Sequence, residues 1–354
     1  MSIACGCSTQ SSQGQLPTAL VVGGSRFIGL PLVNLLLQGQ YSVTVLNRGS
    51  ANHRLPPGVE TIACDRTDPE ALAKALAGRR FNVVFDCVAY QPEHTAGLLR
   101  ALDRAALQHF VHISTGSVYL PTEVFPIKEH FPRGLQGPGH EYGDGKFGCE
   151  ELLLEAYRDH GFPVTLIRPG IIYGPGNYVY REAFFFDRLL AGRPLVVPGD
   201  GSIVMQYGYV DDLAAMMVAV IGNYRAIGEA YNHQGEYCLT TDLYLRTLID
   251  TVGLRFGRET VSGGTPGEPR IVYYDPSAIG LPPSEVRKVF PFRWREHVIR
   301  DTSKAQSQLG WREQVPLAEG LRRSLEWYLS QGRAICNFKP DFALEDTILQ
   351  RCGL

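Results

Sequence analysis

The chain has 354 residues, 44% of them hydrophobic and 20% charged, with a formal net charge of −2. That length buries a sizeable core in one large domain or two smaller ones, and the composition excludes a disordered or fibrous chain. The near-neutral balance supplies no general field for nucleic acid, although a local basic patch stays open.

Residues 1–16, rich in Ser, Gln and Gly, read as a flexible tail without the basic start and apolar run of a secretory signal. No apolar stretch approaches the roughly 20 residues that span a bilayer, so a soluble, cytoplasmic protein is expected. The eight cysteines are scattered. Cys5 and Cys7 are the one close pair, and no His or Cys cluster completes a zinc site. Reduced, structural thiols and no metal are expected.

From residue 19 short apolar runs alternate with amphipathic stretches. Strands are expected at Ala19–Val22, Val43–Leu46, Glu60–Ala63, Asn82–Asp86, Phe110–Ser114 and Val164–Ile167. Helices are expected at Phe27–Leu37, from Asp68-Pro69-Glu70 onward, at His94–Leu107 and near Phe147–His160. This alternation predicts an α/β fold, a Rossmann-like doubly wound parallel sheet covered on both faces. After Pro169 the texture turns aromatic and rich in Pro and Gly. The predicted division is a dinucleotide-binding domain at 17–175, with elements near 205–235 returning to it. A smaller, interleaved substrate-binding portion takes 176–204 and 236–354.

The first strand runs into Gly23-Gly24-Ser25-Arg26-Phe27-Ile28-Gly29 and directly into a helix. Glycines at such a turn let backbone approach a pyrophosphate, which the helix N-terminus favours. The second strand ends in Asn47-Arg48, where NAD-selective sites carry an acid for the adenosine ribose. Arg48, with Arg26 beside it, accommodates a 2′-phosphate, so NADP(H) is expected in preference to NAD(H).

Tyr142 and Lys146 are spaced Tyr-x-x-x-Lys, which places both on one face of a helical turn. A nearby ammonium and the positive charge of an oxidised nicotinamide both favour phenolate and lower a tyrosine pKa towards acid/base range, and Ser114-Thr115 upstream offers a hydroxyl to hold the substrate oxygen. Gly143 and Gly145 weaken helix propensity between the two.

These motifs resemble an extended or atypical short-chain dehydrogenase/reductase of the NAD-dependent epimerase/dehydratase superfamily, across nearly the whole chain. The glycine turn, Ser114-Thr115 with Val118-Tyr119, Tyr142 with Lys146, and Arg168-Pro169 through Tyr173-Gly174-Pro175 carry the resemblance. So do Gly199-Asp200-Gly201, Val210–Leu213 and the segment Ser303–Trp311. It implies that Thr115, Tyr142 and Lys146 are catalytic, that Asp65 faces the adenine, that Ala89 lines the nicotinamide side, and that Pro169 is a further cofactor contact. Phe290-Pro291-Phe292-Arg293, Glu319-Gly320-Leu321 and the tail from Asp341 resemble the chloroplast stem-loop RNA-binding proteins and their bacterial homologues. The retained Tyr142–Lys146 pair groups the chain with the bacterial members.

The departures are equally informative. Arg26 replaces the superfamily's middle glycine, and Gly116-Ser117 stands where 4,6-dehydratases carry an acidic pair. Met205 stands where many relatives place an arginine for the substrate diphosphate, which argues against a sugar nucleotide. Gly116, Ser117, His140, Asn177 and Tyr178 are candidate substrate contacts. Cys149 is read as a helix residue packed on the sheet, and His112 as a satisfied interior histidine. Phe184–Phe186 are assigned to the core or an oligomer face, and Asp211-Asp212 to a helix N-cap. The expected activity is hydride transfer at a secondary alcohol or ketone carbon of a sugar or sugar-like metabolite, as reductase or epimerase. Two rivals stay open: an RNA-binding protein on the same scaffold, and a redox sensor without turnover. The expected partner is a small molecule, with a homodimer left open.

Overall fold

The computed structural model describes residues 16–256 and 271–354. Apart from Leu16, the tail expected over residues 1–16, with Cys5 and Cys7, lies outside them. Seven strands pair in parallel, the central ones as continuous apolar runs buried on both faces, while β3 at the edge is largely exposed. In chain order the elements are β1 (Thr18–Val22), α1 (Gly29–Gln38), β2 (Ser42–Asn47), β3 (Glu60–Ala63), α2 (Pro69–Leu76), β4 (Val83–Asp86) and α3 (Pro92–Ala101). Next come β5 (His109–Ile113), α4 (Glu141–His160), β6 (Val164–Pro169), β7 (Ile171–Tyr173), α5 (Glu182–Leu190), β8 (Leu195–Pro198), β9 (Val204–Met205) and β10 (Tyr207–Tyr209). The chain continues through α6 (Val210–Ala219), β11 (Ala230–His233), β12 (Leu239–Thr240), α7 (Thr241–Phe256), β13 (Ile271–Tyr274), α8 (Pro283–Val289) and α9 (Ser303–Leu309). It closes with α10 (Leu317–Trp327), α11 (Arg333–Cys336) and α12 (Ala343–Arg351).

The main sheet has the order β11-β6-β5-β4-β1-β2-β3, so the fold is Rossmann-like. Along β1 the pleat sends Ala19 and Val21 to one face, against Leu32, Leu36, Leu213 and Met217 of α1 and α6. Leu20 and Val22 point to the other, against Leu72, Leu98 and Leu153 of α2, α3 and α4. Strand order reverses between β1 and β4, and the crevice at their carboxyl ends is where such sheets bind ligands. A second core gathers β8–β10 with α5, α7 and α10, and Phe184–Phe186 lie buried in it. Cys149 is buried on α4. Among the described residues no helix is long and apolar enough to cross a membrane.

Asp68 caps α2, accepting the Glu70 and Ala71 N–H groups at 3.0 Å. Four expectations need correction. The helix predicted over His94–Leu107 ends at Ala101, because the Asp103 carboxylate accepts the Ala105 N–H and turns the chain. Helix α4 starts six residues before Phe147, at Glu141. Asp211-Asp212 is not the N-cap of α6; Tyr209 is, and the Asp212 carboxylate instead accepts the Gln314 and Val315 N–H groups at 3.1 and 3.2 Å. His112 is interior but unsatisfied: neither ring nitrogen meets a hydrogen-bond partner among the described residues.

Candidate active site

The carboxyl ends of β1, β2, β4 and β5 open on a cleft of about 1020 Å³. At its floor is the glycine turn. Gly23 holds φ +92°, and a Cβ on Gly29 would stand 2.4 Å from the Gly23 carbonyl oxygen, so both positions exclude a side chain. No side chain caps α1, which leaves the positive end of its dipole facing the cleft. This is the geometry that receives a pyrophosphate.

At the end of β2 the Asn47 amide is spent on the loop itself. It donates to Ser25 Oγ at 3.1 Å and Asn52 Oδ1 at 2.8 Å, and accepts the Gly49 N–H. Arg48 and Arg26 stand exposed on the rim. Asp65 accepts the backbone and side-chain groups of Thr67, which hold its carboxyl below the ordinary range. Beneath it Arg66 and Asp86 form a buried ion pair. Burial alone would raise the Asp86 pKa, but the Arg66 charge and hydrogen bonds outweigh it and keep the carboxyl below its usual value.

Thr115 follows the end of β5, its hydroxyl accepting the Ser117 N–H at 3.2 Å, and shares the cleft wall with Tyr142 in the first turn of α4. Tyr142 is 51% exposed, its ring open to the cleft and 6.2 Å from that of Tyr90. Crowding by the surrounding protein raises the phenol pKa, opposed by the neighbouring Thr115 hydroxyl and the Arg181 charge. One turn on, Lys146 is buried; its Nζ donates to the Ile113 carbonyl and sits 5.2 Å from the Tyr90 ring centroid. Burial brings the Lys146 pKa down to about 8. The ammonium turns into the floor of the site, and the surrounding protein shifts the phenol upward.

Gly143, Gly145 and Gly148 are what bring α4 this close. A Cβ at Gly145 would lie 2.1 Å from the Tyr90 carbonyl oxygen, and one at Gly143 would lie 2.7 Å from that of Ser117. Their apparent weakness as helix formers is the condition for contact. Glu150 on the same helix is fully buried and takes Arg168 Nε and Nη2 at 2.8 Å each, with Ser114 Oγ at 2.5 Å. That cluster ties α4 to the ends of β5 and β6.

Residues 19–233 match the NAD dependent epimerase/dehydratase family. The chain belongs to that family. It is 33% identical to the chloroplast stem-loop binding protein of 41 kDa b of Arabidopsis thaliana, over 94% of this chain and 84% of that one. To the UDP-glucose 4-epimerase of Mycolicibacterium smegmatis it is 28% identical, over 89% of this chain and 99% of that protein. The solved UDP-glucose 4-epimerase of Thermotoga maritima shares the fold, with a TM-score of 0.70 at 24% identity over 88% of this chain and 99% of that one. The glycine turn, its two positions without room for a side chain, and the uncapped α1 fit the dinucleotide on which this epimerase/dehydratase family depends.

Of the residues expected to serve this family member, Gly23, Ser25–Gly29, Asn47, Arg48, Asp65, Thr115, Ser117, Tyr142, Lys146, Pro169 and Tyr178 line the cleft. Five do not. Gly24 is buried behind the turn, and Ala89 is buried between Val88 and Tyr90, which take the lining instead. Gly116 lies under the Arg300 guanidinium. His140 is exposed just before α4, outside the cleft. Asn177 is buried, its amide donating to the Glu182 carboxylate at 2.9 and 3.1 Å. Reading the sequence missed Tyr90, Arg181, Arg293 and Arg300, all of which line the cleft. Arg293 lay within a noticed motif, but its destination was not legible. Met205 is fully buried in the second core, while Arg293 and Arg300 bring guanidinium groups to the cleft from another segment. The loss of a cation inferred from Met205 is thereby corrected.

Proposed function

We propose that this protein is an NADP(H)-preferring oxidoreductase or epimerase acting at a secondary alcohol or ketone carbon of a sugar-like substrate, with Tyr142 as acid/base. The observation that carries the reading is the meeting of Thr115 and Tyr142 over buried Lys146, in one cleft with the glycine turn. The bound nicotinamide supplies a hydride acceptor or donor. Thr115 holds the substrate oxygen against Tyr142. In oxidation the phenolate takes the hydroxyl proton as the carbon gives up its hydride; in reduction the phenol returns a proton to the carbonyl oxygen. Lys146 positions the ribose side of the site and adds positive charge to it. Exposed Arg26 and Arg48, without a carboxylate at the end of β2, support the 2′-phosphate preference.

The test is turnover of NADPH with ketosugars by the intact protein and by Tyr142→Phe. The variant is expected to lose about 10²–10⁴-fold in kcat while holding NADPH within about twofold. Unchanged turnover would remove Tyr142 from the chemistry. The Arabidopsis relative, named a stem-loop binding protein, favours a second reading, RNA binding on the same scaffold. A stem-loop affinity that falls steeply with salt, together with no turnover of any carbonyl substrate, supports that reading instead.

A further inference from the structure

Among the described residues one buried arginine, Arg300, forms no ion pair with an acid. Elsewhere buried guanidinium groups meet carboxylates: Arg66 meets Asp86, Arg168 meets Glu150, and Arg188 meets Glu345. Arg300 is only 9% exposed, yet it forms no ion pair among the described residues, and its Nε lacks a partner there. Its immediate holders are neutral. Gln206 Oε1 accepts the Arg300 backbone N–H at 2.7 Å, and the Gln234 amide oxygen accepts from Nη1. Gln206 is in turn anchored through its amide to the Gly235 carbonyl at 3.0 Å.

Space has been cleared for this arrangement. A Cβ on Gly116 would lie 2.2 Å from Arg300 Cζ, and one on Gly170 would lie 1.9 Å from the Gln234 side-chain amide. The guanidinium therefore packs on the residue next to Thr115, and Arg300, Thr115, Ser117 and Tyr142 line the same cleft. Arg293 lines it too, and among the described lining residues the only carboxylate is Asp65, in the segment that follows β3. Burial, with Arg293 nearby, lowers the Arg300 pKa to about 10, so it is still a cation at neutral pH. A buried cation left without a counter-charge is costly, and a ligand oxyanion relieves that cost.

We propose that Arg300 receives an oxyanion, a carboxylate or a phosphate, carried by the substrate close to its reacting carbon. This rests on the reading of Thr115 and Tyr142 as the reacting groups, and it narrows the substrate to an acidic sugar or polyol. A planar guanidinium fork matches either anion with paired hydrogen bonds.

The test uses the full chain saturated with whichever of NADPH and NADH binds tighter, so that the glycine turn is filled. Glucose, glucuronate, glucose 6-phosphate and inorganic phosphate are titrated calorimetrically. At least one of the anions is expected to bind 10-fold or more tighter than glucose, glucuronate reporting a carboxylate site and the two phosphates a phosphate site. Arg300→Met is expected to lose that affinity about 100-fold while keeping its dinucleotide affinity. Arg300→Lys keeps the charge and is expected to retain the anion preference at about 10-fold weaker binding. No preference for any anion over glucose, or equal anion binding by Arg300→Met, overturns the proposal. If neither dinucleotide binds, the proposed function falls instead, and the Arg300→Met difference measured in the free protein still decides this claim.

Discussion

At the scale of single residues, the cofactor end of the cleft turns on where the positive charges stand. Arg48 is exposed beyond Asn47, and the Asn47 side chain is committed to Ser25, Asn52 and Gly49. Neither residue offers the acceptor that the adenosine ribose hydroxyls of NAD would meet. Arg48→Ala is therefore expected to weaken NADPH at least about 10-fold, the weight of one charge-assisted phosphate contact, and to leave NADH within about twofold. Fluorescence titration of both dinucleotides checks it. An equal loss for the two would show that Arg48 contributes only general attraction. At the other end of the cleft, residues from segments far apart converge: Thr115 from just past β5, Tyr142 from α4, and Arg293 and Arg300 from the chain before α9.

At the scale of elements, α4 is the part whose form departs furthest from its local preferences. Glycine costs helix stability, and at an ordinary interior position Gly→Ala stabilises by about 1 kcal/mol. At Gly145 the sign reverses, because the new Cβ would meet the Tyr90 carbonyl oxygen at 2.1 Å. Gly145→Ala is expected to destabilise by about 1–3 kcal/mol, the usual cost of overpacking, and to lower kcat by displacing Tyr142 from Thr115. Urea unfolding and steady-state rates read the two effects separately, and a stabilised, fully active variant would refute the close-contact explanation. The polar anchor of the same helix is Glu150, buried among Arg168, Arg133 and Ser114. Glu150→Gln leaves Arg168 buried without its counter-charge, for an expected loss of about 3–5 kcal/mol in urea unfolding. A loss below about 1 kcal/mol would mean that the cluster contributes little. The strands around α4 were legible in the sequence because burial on both faces writes itself as continuous apolar runs, Leu20–Val22 and Val83–Phe85 among them. The glycine turn was legible because its strand–turn–helix context is local. The Tyr142–Lys146 spacing placed both on the opening turn of α4, but why its glycines stand there was not legible until Tyr90, Pro92 and Ser117 are seen against them. Arg300 was equally hidden, as nothing within its own segment marks the glycines and glutamines that receive it.

At the scale of the whole molecule, the sheet that positions the cleft carries buried imidazoles. His109 and His112 lie on β5 and His233 ends β11, all within the interior. Burial lowers His109 to about 4, and His112 and His233 to about 3. Around His112, Lys146 and Arg66 reinforce the neutral form and Asp86 opposes it. An unfolded histidine takes up its proton near pH 6.5, whereas these folded ones do so only near 3–4. Between those limits the unfolded chain binds more protons, so stability is complete above about pH 6.5 and falls as pH falls. At pH 5 each imidazole accounts for a loss of about 2 kcal/mol relative to neutral pH, and together the three approach the whole stability of an ordinary domain. His112 isolates one share of this, because neither ring nitrogen has a partner to lose. His112→Leu is expected to change stability at pH 7.5 by less than about 1 kcal/mol, since neither ring nitrogen has a hydrogen bond to lose. At pH 5 the same variant is expected to be about 2 kcal/mol more stable than the parent. Urea unfolding followed by circular dichroism at the two pH values measures the difference of differences. Parallel losses in parent and variant would show that His112 takes up its proton in the folded sheet as readily as in the unfolded chain, and would remove it from the acid sensitivity of the fold.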